Sequence, residues 1–163
     1  MKVSAQEEYG LRCILQLAAQ PAGAPMTVGE IARREGISAA YAEKLLRILG
    51  KAGLTHGIRG ANGGYALARS AEQITLGDVS RALDGRQTWD EICTKHTGDR
   101  DTCIHEGSCR ILPIWQGITG YVHGLLDSIS ISQLLRGQAV PPAPIAPESL
   151  RIINGSLFFG ADT

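Results

Sequence analysis

The sequence predicts a mainly α-helical protein with one pair of short β-strands near its middle. Apolar residues recur at helical spacing in several stretches, and most of these stretches follow a Ser or Thr that can cap a helix. Two short β-prone stretches flank a glycine-rich turn. With 163 residues, 44% hydrophobic and 20% charged, the chain is long enough for one domain with a real core and appended segments.

A capping box marks the first predicted helix. Ser4 and Glu7 have the spacing at which each side chain satisfies the backbone N–H of the other residue. Apolar residues then recur at helical spacing, namely Leu11, Ile14, Leu15 and Ala18. We therefore expect a helix over residues 4–19 that ends before Pro21.

Two further helices are predicted next to one another. Thr27 and Glu30 repeat the capping pattern ahead of a short helix that ends at Gly36, and Ser38 caps a third helix over residues 39–51. The third helix has an apolar side (Leu45, Leu46, Leu49) and a basic side (Lys44, Arg47, Lys51). The short turn between these helices predicts a helix-turn-helix, although a helical hairpin in a small bundle has the same pattern.

A glycine-rich hairpin follows the third helix. Residues 54–58 and 65–67 read as strands, and the tip between them carries Arg59. This arrangement is the wing of a winged helix, whose glycines let the tip approach a groove while an arginine enters a narrow minor groove. A last capped helix, Thr75 to Leu83, completes the domain.

The distribution of charge is consistent with a nucleic-acid partner. The whole chain has 16 basic and 16 acidic residues, so its formal net charge is zero. Residues 33–69, however, contain seven Arg or Lys residues against two Glu residues. Phosphate binding requires a local basic face and not a basic chain, so this excess supports a DNA-facing surface.

A long amphipathic helix is predicted over residues 110–130. Its apolar side is more extensive than this small domain can cover alone. Pairing of two copies of the helix across a two-fold axis is the simplest way to remove this apolar side from water. Packing against the first helix is the alternative, and both can hold. Four prolines between residues 141 and 147 then predict a flexible tail.

Three of the four cysteines lie in a polar, glycine-containing loop. Nine residues separate Cys93 from Cys103, and five separate Cys103 from Cys109. Three thiolates fit three ligand positions of an iron-sulfur cluster. A zinc site completed by His96 or His105, a metal-free thiol switch and free cysteines without a function remain open on spacing alone. The fourth cysteine, Cys13, lies among apolar residues and is predicted to be a buried small hydrophobe.

Three motifs carry a resemblance to a known family. Residues 37–45 read Ile-Ser-x-x-Tyr-x-Glu-x-Leu, residues 59–67 read Arg-Gly-x-x-Gly-Gly-Tyr-x-Leu, and residues 74–79 read Ile-Thr-Leu-Gly-Asp-Val. Over residues 1–136 the chain resembles the Rrf2 family of winged-helix regulators, including its IscR-like and NsrR-like iron-sulfur sensors. The resemblance implies a homodimeric bacterial transcription regulator, not an enzyme, that binds a pseudo-palindromic operator in double-stranded DNA.

The resemblance also implies which residues meet DNA. Carried over by position, the major-groove residues are Ser38, Tyr41, Glu43 and Lys44, and the minor-groove residue is Arg59. Hydroxyl groups can reach phosphates and a glutamate can accept from cytosine N4, which is compatible with these positions. For Tyr41, a place in the core is the alternative.

For the cysteine loop, the resemblance favours a 2Fe–2S or 4Fe–4S cluster held by Cys93, Cys103 and Cys109. Some members use a histidine three residues after the last cysteine as the fourth ligand, but that position here is Leu112. Others use an acidic residue at the start of the first helix of the partner subunit, which corresponds to Glu8. His105 is the alternative ligand, and a surface ion pair with Arg12 is the alternative role of Glu8.

The sequence as a whole therefore predicts four regions. They are a winged helix-turn-helix domain (1–84), a cluster-binding loop (85–109), a dimerisation helix region (110–137) and a Pro-rich, flexible tail (138–163). Because no apolar run of about 18 residues is found, we expect a cytoplasmic repressor without a membrane partner. The alternatives are a zinc or thiol-switch regulator, and an electron-transfer or cluster-handling protein that does not bind DNA.

Overall fold

The computed structural model of the chain describes residues 3–60, 63–84 and 96–138, and the backbone of residues 150–153 and 156–159. The chain divides into two compact units. The first contains Met1–Gly85 and Leu126–Val140, and the second contains Arg86–Leu125 and Pro141–Thr163.

The described elements confirm the mainly α class with a two-stranded wing. In chain order they are α1 (Ala5–Ala18), α2 (Val28–Glu35), α3 (Ala39–Lys51), β1 (Thr55–Ile58), β2 (Gly64–Leu67), α4 (Leu76–Asp84), α5 (Leu112–Ser128), α6 (Ile131–Leu135), β3 (Leu150–Ile153) and β4 (Ser156–Phe159). None of the helices in the described part of the chain is both long and apolar enough to cross a membrane.

Local capping explains where the first helices begin. The box of Ser4 and Glu7 is complete, since each side chain accepts a hydrogen bond from the backbone N–H of the other residue. Thr27 caps α2 by accepting from the Glu30 N–H at 3.2 Å. Helix α2 ends at Gly36, whose φ of 66° is in the left-handed region that favours glycine.

The core of the first unit is formed mainly by apolar side chains of the helices. The largest completely buried ones are Ile14, Ile31, Leu45, Leu46, Leu49, Leu54, Ile74 and Ile131. Burial of each such side chain contributes about 1.5–3 kcal/mol relative to its exposure. The three leucines of α3 lie inward as predicted, so the polar side of this helix is available on the surface.

The wing is an antiparallel pair with a further backbone attachment. Strands β1 and β2 pair in the register Thr55 with Leu67 and Ile58 with Gly64. Tyr65 exchanges two backbone hydrogen bonds of 2.9 Å with Met26, in the segment ahead of α2. A Cβ atom added to Gly64 would lie 2.3 Å from the Met26 carbonyl oxygen, so the strand passes too close to that backbone for any side chain there.

The long C-terminal helix is shorter than predicted. Helix α5 ends at Ser128, and a capping box of Ser130 and Gln133 starts the separate helix α6. The Leu76 N–H donates to the Ile129 carbonyl at 2.8 Å, and the Ile131 N–H donates to the Ile74 carbonyl at 2.9 Å. These tertiary backbone bonds replace helical ones and interrupt the helix.

Ionic contacts also hold the last turn of α5 within the first unit. Arg81 of α4 donates to Asp127 of α5 and, at 2.7 Å, to Asp78. Gly77 provides the space for this contact, because a Cβ atom there would collide with the Asp127 carboxylate. Asp78 also accepts from the Thr75 N–H at 3.2 Å as part of the cap of α4.

The second unit includes residues 112–125 of α5 and the C-terminal strands. The exposed apolar residues of this part of the chain include Ile111, Ile114, Trp115 and Ile118, which are 61%, 43%, 50% and 45% exposed. Within the region predicted as a flexible tail, β3 and β4 form an antiparallel pair in which Leu150 is opposite Phe159. Among the described residues, the N-terminal part of the apolar side predicted for this helix is therefore exposed.

Candidate nucleic-acid interface and cysteine loop

The first turn of α3 presents small and polar groups to solvent. Ser38 caps the helix, its hydroxyl oxygen accepting from the Tyr41 N–H at 3.2 Å, and this residue is exposed. Ala39 and Ala40 follow, both exposed, so the helix has little bulk at this end. A helix with this profile can approach a groove closely, and the Ser38 hydroxyl hydrogen remains able to donate to a phosphate.

The side chain of Tyr41 is partly exposed and partly packed against the core. Its ring is half-buried against the hydrophobic core and meets the Tyr9 ring edge-on, with centroids 6.1 Å apart and planes at 77°. The place in the core that sequence analysis gave as the alternative is thus where the structure puts part of this side chain. Tyr41 connects the start of α3 to α1.

The outer side of α3 carries a row of charged side chains. Glu43 is half-exposed, whereas Lys44, Arg47 and Lys51 are exposed. Glu43 Oε1 accepts a hydrogen bond of 2.7 Å from the Arg47 guanidinium. Sequence analysis placed Arg47 on the outer side but did not select it as a site residue. The signal for this contact was the Glu-x-x-x-Arg spacing, which places the two side chains on adjacent turns.

Arg59 lies directly after β1, at the tip of the wing, and is exposed. Gly60 follows with a φ of 116°, a conformation that L side chains rarely adopt. The next two positions, 61 and 62, lie outside the described residues. The hairpin thus carries a cationic side chain away from the core, on the same unit as α3.

Not all of the basic residues are equally available for phosphate. Arg33 and Arg34 both donate to Glu30 within α2, at 2.8 Å and 2.7 Å. These two bonds, from Arg33 first and then Arg34, lower the pKa of Glu30 to about 2. The basic side chains most available for phosphate are therefore those that are exposed and make no such ion pair within their own helix. They are Lys44, Lys51 and Arg59.

Glu8 makes the surface ion pair that sequence analysis gave as its alternative role. Its Oε1 accepts from two Arg12 nitrogens, at 2.9 Å and 2.6 Å, and the hydrogen bond to Glu8 raises the pKa of Arg12. The Arg12 guanidinium also lies 5.3 Å from the centroid of the Tyr9 ring. Because Tyr9 meets Tyr41, a continuous series of contacts joins Glu8 to the first turn of α3.

Two of the three loop cysteines lie in the described residues, and Cys93 lies outside them. Cys103 and Cys109 are half-buried, while His96 and His105 are exposed. The segment between Cys103 and Cys109 contains two turns. In the first, the Glu106 N–H donates to the Cys103 carbonyl at 3.1 Å, and in the second, the Ser108 N–H donates to the His105 carbonyl at 2.9 Å. Among the residues with described positions, no group of three or more His, Cys, Asp or Glu could hold a metal ion.

Cys109 lies at the start of α5. Its Sγ accepts a hydrogen bond of 3.3 Å from the Leu112 N–H, in the first turn of the helix. N–H groups at a helix N-terminus stabilise negative charge, which suits a thiolate that ligates a metal. The Cys109 sulfur therefore has a hydrogen-bond donor beside it, and both Cys103 and Cys109 precede the same helix.

Cys13 is more deeply buried than Cys103 and Cys109. It is completely buried in α1, as predicted. Burial, followed by the nearby charge of Glu35, raises its pKa to about 11. A protonated, inaccessible thiol is unsuited to metal binding.

A capped helix pair followed by a wing, with a charged row on the second helix, defines a winged-helix transcription regulator that binds DNA. The chain belongs to the Rrf2 family: residues 3–137 match the family described as iron-dependent transcriptional regulator. It is 34% identical to the protein rrf2 of Nitratidesulfovibrio vulgaris Hildenborough over 142 aligned residues. These aligned residues cover 87% of this chain and 92% of that protein.

Two solved structures of transcription regulators agree with this assignment. CymR, the global cysteine regulator of B. subtilis, is 31% identical with a TM-score of 0.64, over 84% of this chain and 98% of CymR. IscR of T. potens is 31% identical with a TM-score of 0.63, over 84% of this chain and 88% of IscR. The relatives are regulators and not enzymes, in agreement with the sequence analysis.

Proposed function

We propose that this regulator is a cytoplasmic homodimer that represses transcription from a pseudo-palindromic operator and is switched by an iron-sulfur cluster. Cys93, Cys103 and Cys109 would hold the cluster, with Glu8 of the other subunit as the fourth ligand. The observation that carries this proposal is the half-buried Cys109, whose sulfur accepts an N–H at the start of α5. The match to a family described as iron-dependent transcriptional regulator supports an iron-containing cofactor.

The homodimer is proposed from the exposed apolar residues of the second unit. Ile114 and Ile118 are one helical turn apart on α5, and they are 43% and 45% exposed. Trp115 adjoins them and is 50% exposed. Pairing of two copies of α5 would remove these side chains from water and join two winged-helix units in one dimer.

The contacts of Glu8 suggest how binding of a cluster by Glu8 would affect the first turn of α3. When bound, a cluster would supply iron that reacts with oxygen or nitric oxide or changes its redox state, and a carboxylate would be its most easily displaced protein ligand. Glu8 Oε1 accepts from Arg12 in this structure. If the Glu8 carboxylate bound a cluster of the other subunit instead, its ion pair with Arg12 would break and release the arginine. Arg12 lies over Tyr9, and Tyr9 contacts Tyr41, so the release alters support for the first turn of α3.

The proposal as a whole is tested by anaerobic purification, followed by absorption and Mössbauer spectroscopy, iron and sulfide counts, and footprinting on bound DNA. We expect a coloured protein and a protected region with two half-sites about one helical turn apart. A colourless protein with zinc, or with an oxidised cysteine pair, would favour the alternative regulators. A single asymmetric half-site would exclude the proposed dimer, and failure to bind any DNA in a salt-dependent manner would favour an electron-transfer role.

Arg59→Ala is expected to reduce operator affinity about tenfold at moderate salt, because the wing loses its exposed cation. The loss should be greatest for operators with A/T-rich flanks, where the minor groove is narrow. Fluorescence anisotropy with labelled duplexes measures the affinity. Arg33→Ala is the matched control, because it removes one charge from α2 that is already paired with Glu30. Equal affinities of the Arg59 and Arg33 variants would exclude a role for the wing arginine.

Glu8→Gln is expected to make the cluster labile, since a neutral amide is a poor substitute for a carboxylate ligand. Arg12→Ala is the control, because it removes the same ion pair and leaves the Glu8 carboxylate intact. The decay of cluster absorbance in air compares the two variants. Faster decay in Glu8→Gln alone supports ligation, whereas equal decay in both variants would trace the effect to the ion pair and favour His105 as the ligand.

A further inference from the structure

Glu43, which forms an ion pair with Arg47, is one of the α3 residues that the resemblance to the Rrf2 family predicts to contact the major groove. The Arg47 guanidinium donates to Glu43 Oε1 at 2.7 Å, and the side chains of Arg47 and Glu43 are 69% and 45% exposed. Arg47 follows Glu43 by four residues, the spacing that places the two side chains on adjacent turns. The pair is therefore a surface feature of α3 and takes no part in its buried side.

Stability does not explain this pair. Exposed ion pairs contribute little to folding, since both charges are well hydrated before and after they meet. Helix α3 is held instead by four buried residues, Ala42, Leu45, Leu46 and Leu49. The effect of the pair is on the position and charge of the Glu43 carboxylate.

A glutamate at a DNA surface needs such a partner. Its charge is repelled by the phosphates, and its flexible side chain must be ordered before it can distinguish one base from another. Arg47 offsets the charge and occupies one carboxylate oxygen, Oε1. The second oxygen, Oε2, is left to accept from an amino group on a base edge, such as N4 of cytosine.

A second side chain also acts on the charge of Arg47. The hydrogen bond to Glu43 raises the pKa of Arg47, and the side chain of Tyr65 on β2 acts in the same direction. Tyr65 is in turn fixed by its backbone bonds to Met26.

We infer that Arg47 is a positioning residue for base recognition, which orients the Glu43 carboxylate so that α3 selects a cytosine in the major groove. The inference rests on the proposed reading of DNA by Glu43 and adds the residue on which that selectivity depends. In the groove, where water is largely excluded, the same ion pair is stronger than in the free protein.

The test begins with a duplex selected by the wild-type protein from a random library, together with every single base-pair variant of that duplex. Anisotropy with each duplex gives the base preference at each position, and the position at which Glu43→Gln loses its preference is the one read by Glu43. Arg47→Gln should lose preference for C·G at that position by about 5- to 150-fold, the range of one good base contact. Arg47→Lys, which keeps a cation at the correct spacing, should restore part of it.

Lys51→Gln is the matched control, because it removes one exposed charge from the same helix. It should weaken binding to every duplex by a similar factor and leave the base preference unchanged. Circular dichroism and thermal melts should show that all variants remain folded, since the side chains are on the surface.

The outcomes separate this inference from the proposed function. A uniform loss of affinity in Arg47→Gln, like that of Lys51→Gln, would make Arg47 a simple phosphate contact and overturn the inference alone. A Glu43→Gln variant with wild-type preference at every position would overturn the base reading by Glu43 and the role of Arg47 together. Absence of DNA binding by the wild-type protein would overturn the proposed function itself.

Discussion

Gly64→Ala is expected to destabilise the winged-helix unit by about 1–3 kcal/mol and to lower its Tm by roughly 4–8 °C for each kcal/mol. The new Cβ atom would lie 2.3 Å from the Met26 carbonyl oxygen and 2.6 Å from the Met26 carbonyl carbon. Both are backbone atoms, so relief requires the strand to move, which weakens the two hydrogen bonds between Tyr65 and Met26. Thermal denaturation followed by circular dichroism measures the change.

The same hairpin provides the control for this variant. Gly57 lies in β1 directly opposite Tyr65, and a Cβ atom added there would meet nothing within 4 Å. Gly57→Ala should therefore leave the Tm almost unchanged, while Gly64→Ala lowers it and weakens DNA binding by displacing the wing. Similar melting temperatures for the two variants would show that the backbone at Met26 yields easily to an added methyl group.

Cys103→Ala and Cys109→Ala are each expected to reduce bound iron and sulfide to background. Loss of one thiolate from a three-thiolate set leaves too few strong ligands to retain a cluster. The effect should be larger for these variants than for Glu8→Gln, because thiolate is the stronger ligand for iron. Anaerobic reconstitution, followed by iron and sulfide counts and visible absorption, measures the loss.

Cys13→Ala is the matched control for the loop variants. It removes a thiol that is completely buried and unreactive. The small cavity that remains lowers the free energy of unfolding by about 1 kcal/mol or somewhat more. We expect it to keep a full complement of iron while melting at a lower temperature. If Cys13→Ala lost iron while Cys103→Ala kept it, the loop would not be the cluster site.

The helices and the wing could be predicted because their signals are local. A capping serine such as Ser4, and the three inward leucines of α3, identify their elements within a few residues of sequence. The break between α5 and α6 was missed, because tertiary bonds from Ile74 and Leu76 determine it. The capping box of Ser130 and Gln133 was the one local sign of that break, and sequence analysis did not use it.

The candidate site was less predictable than the fold. The glycines of the wing were explained by access to a DNA groove, but Gly64 is required where the strand passes the Met26 backbone. Tyr41 was selected for DNA, yet its ring is half-buried against Tyr9. Both roles depend on which segment packs against the residue, and residue type alone does not contain that information.

The buried thiol of Cys13 gives this protein an intrinsic chemical reporter. With a pKa of about 11 and no exposed surface, Cys13 is both protonated and inaccessible to an alkylating reagent while the core is closed. Its rate of modification therefore measures how often the core opens. In a chain whose loop cysteines are blocked, mass spectrometry of this one sulfur can compare local opening with and without bound DNA.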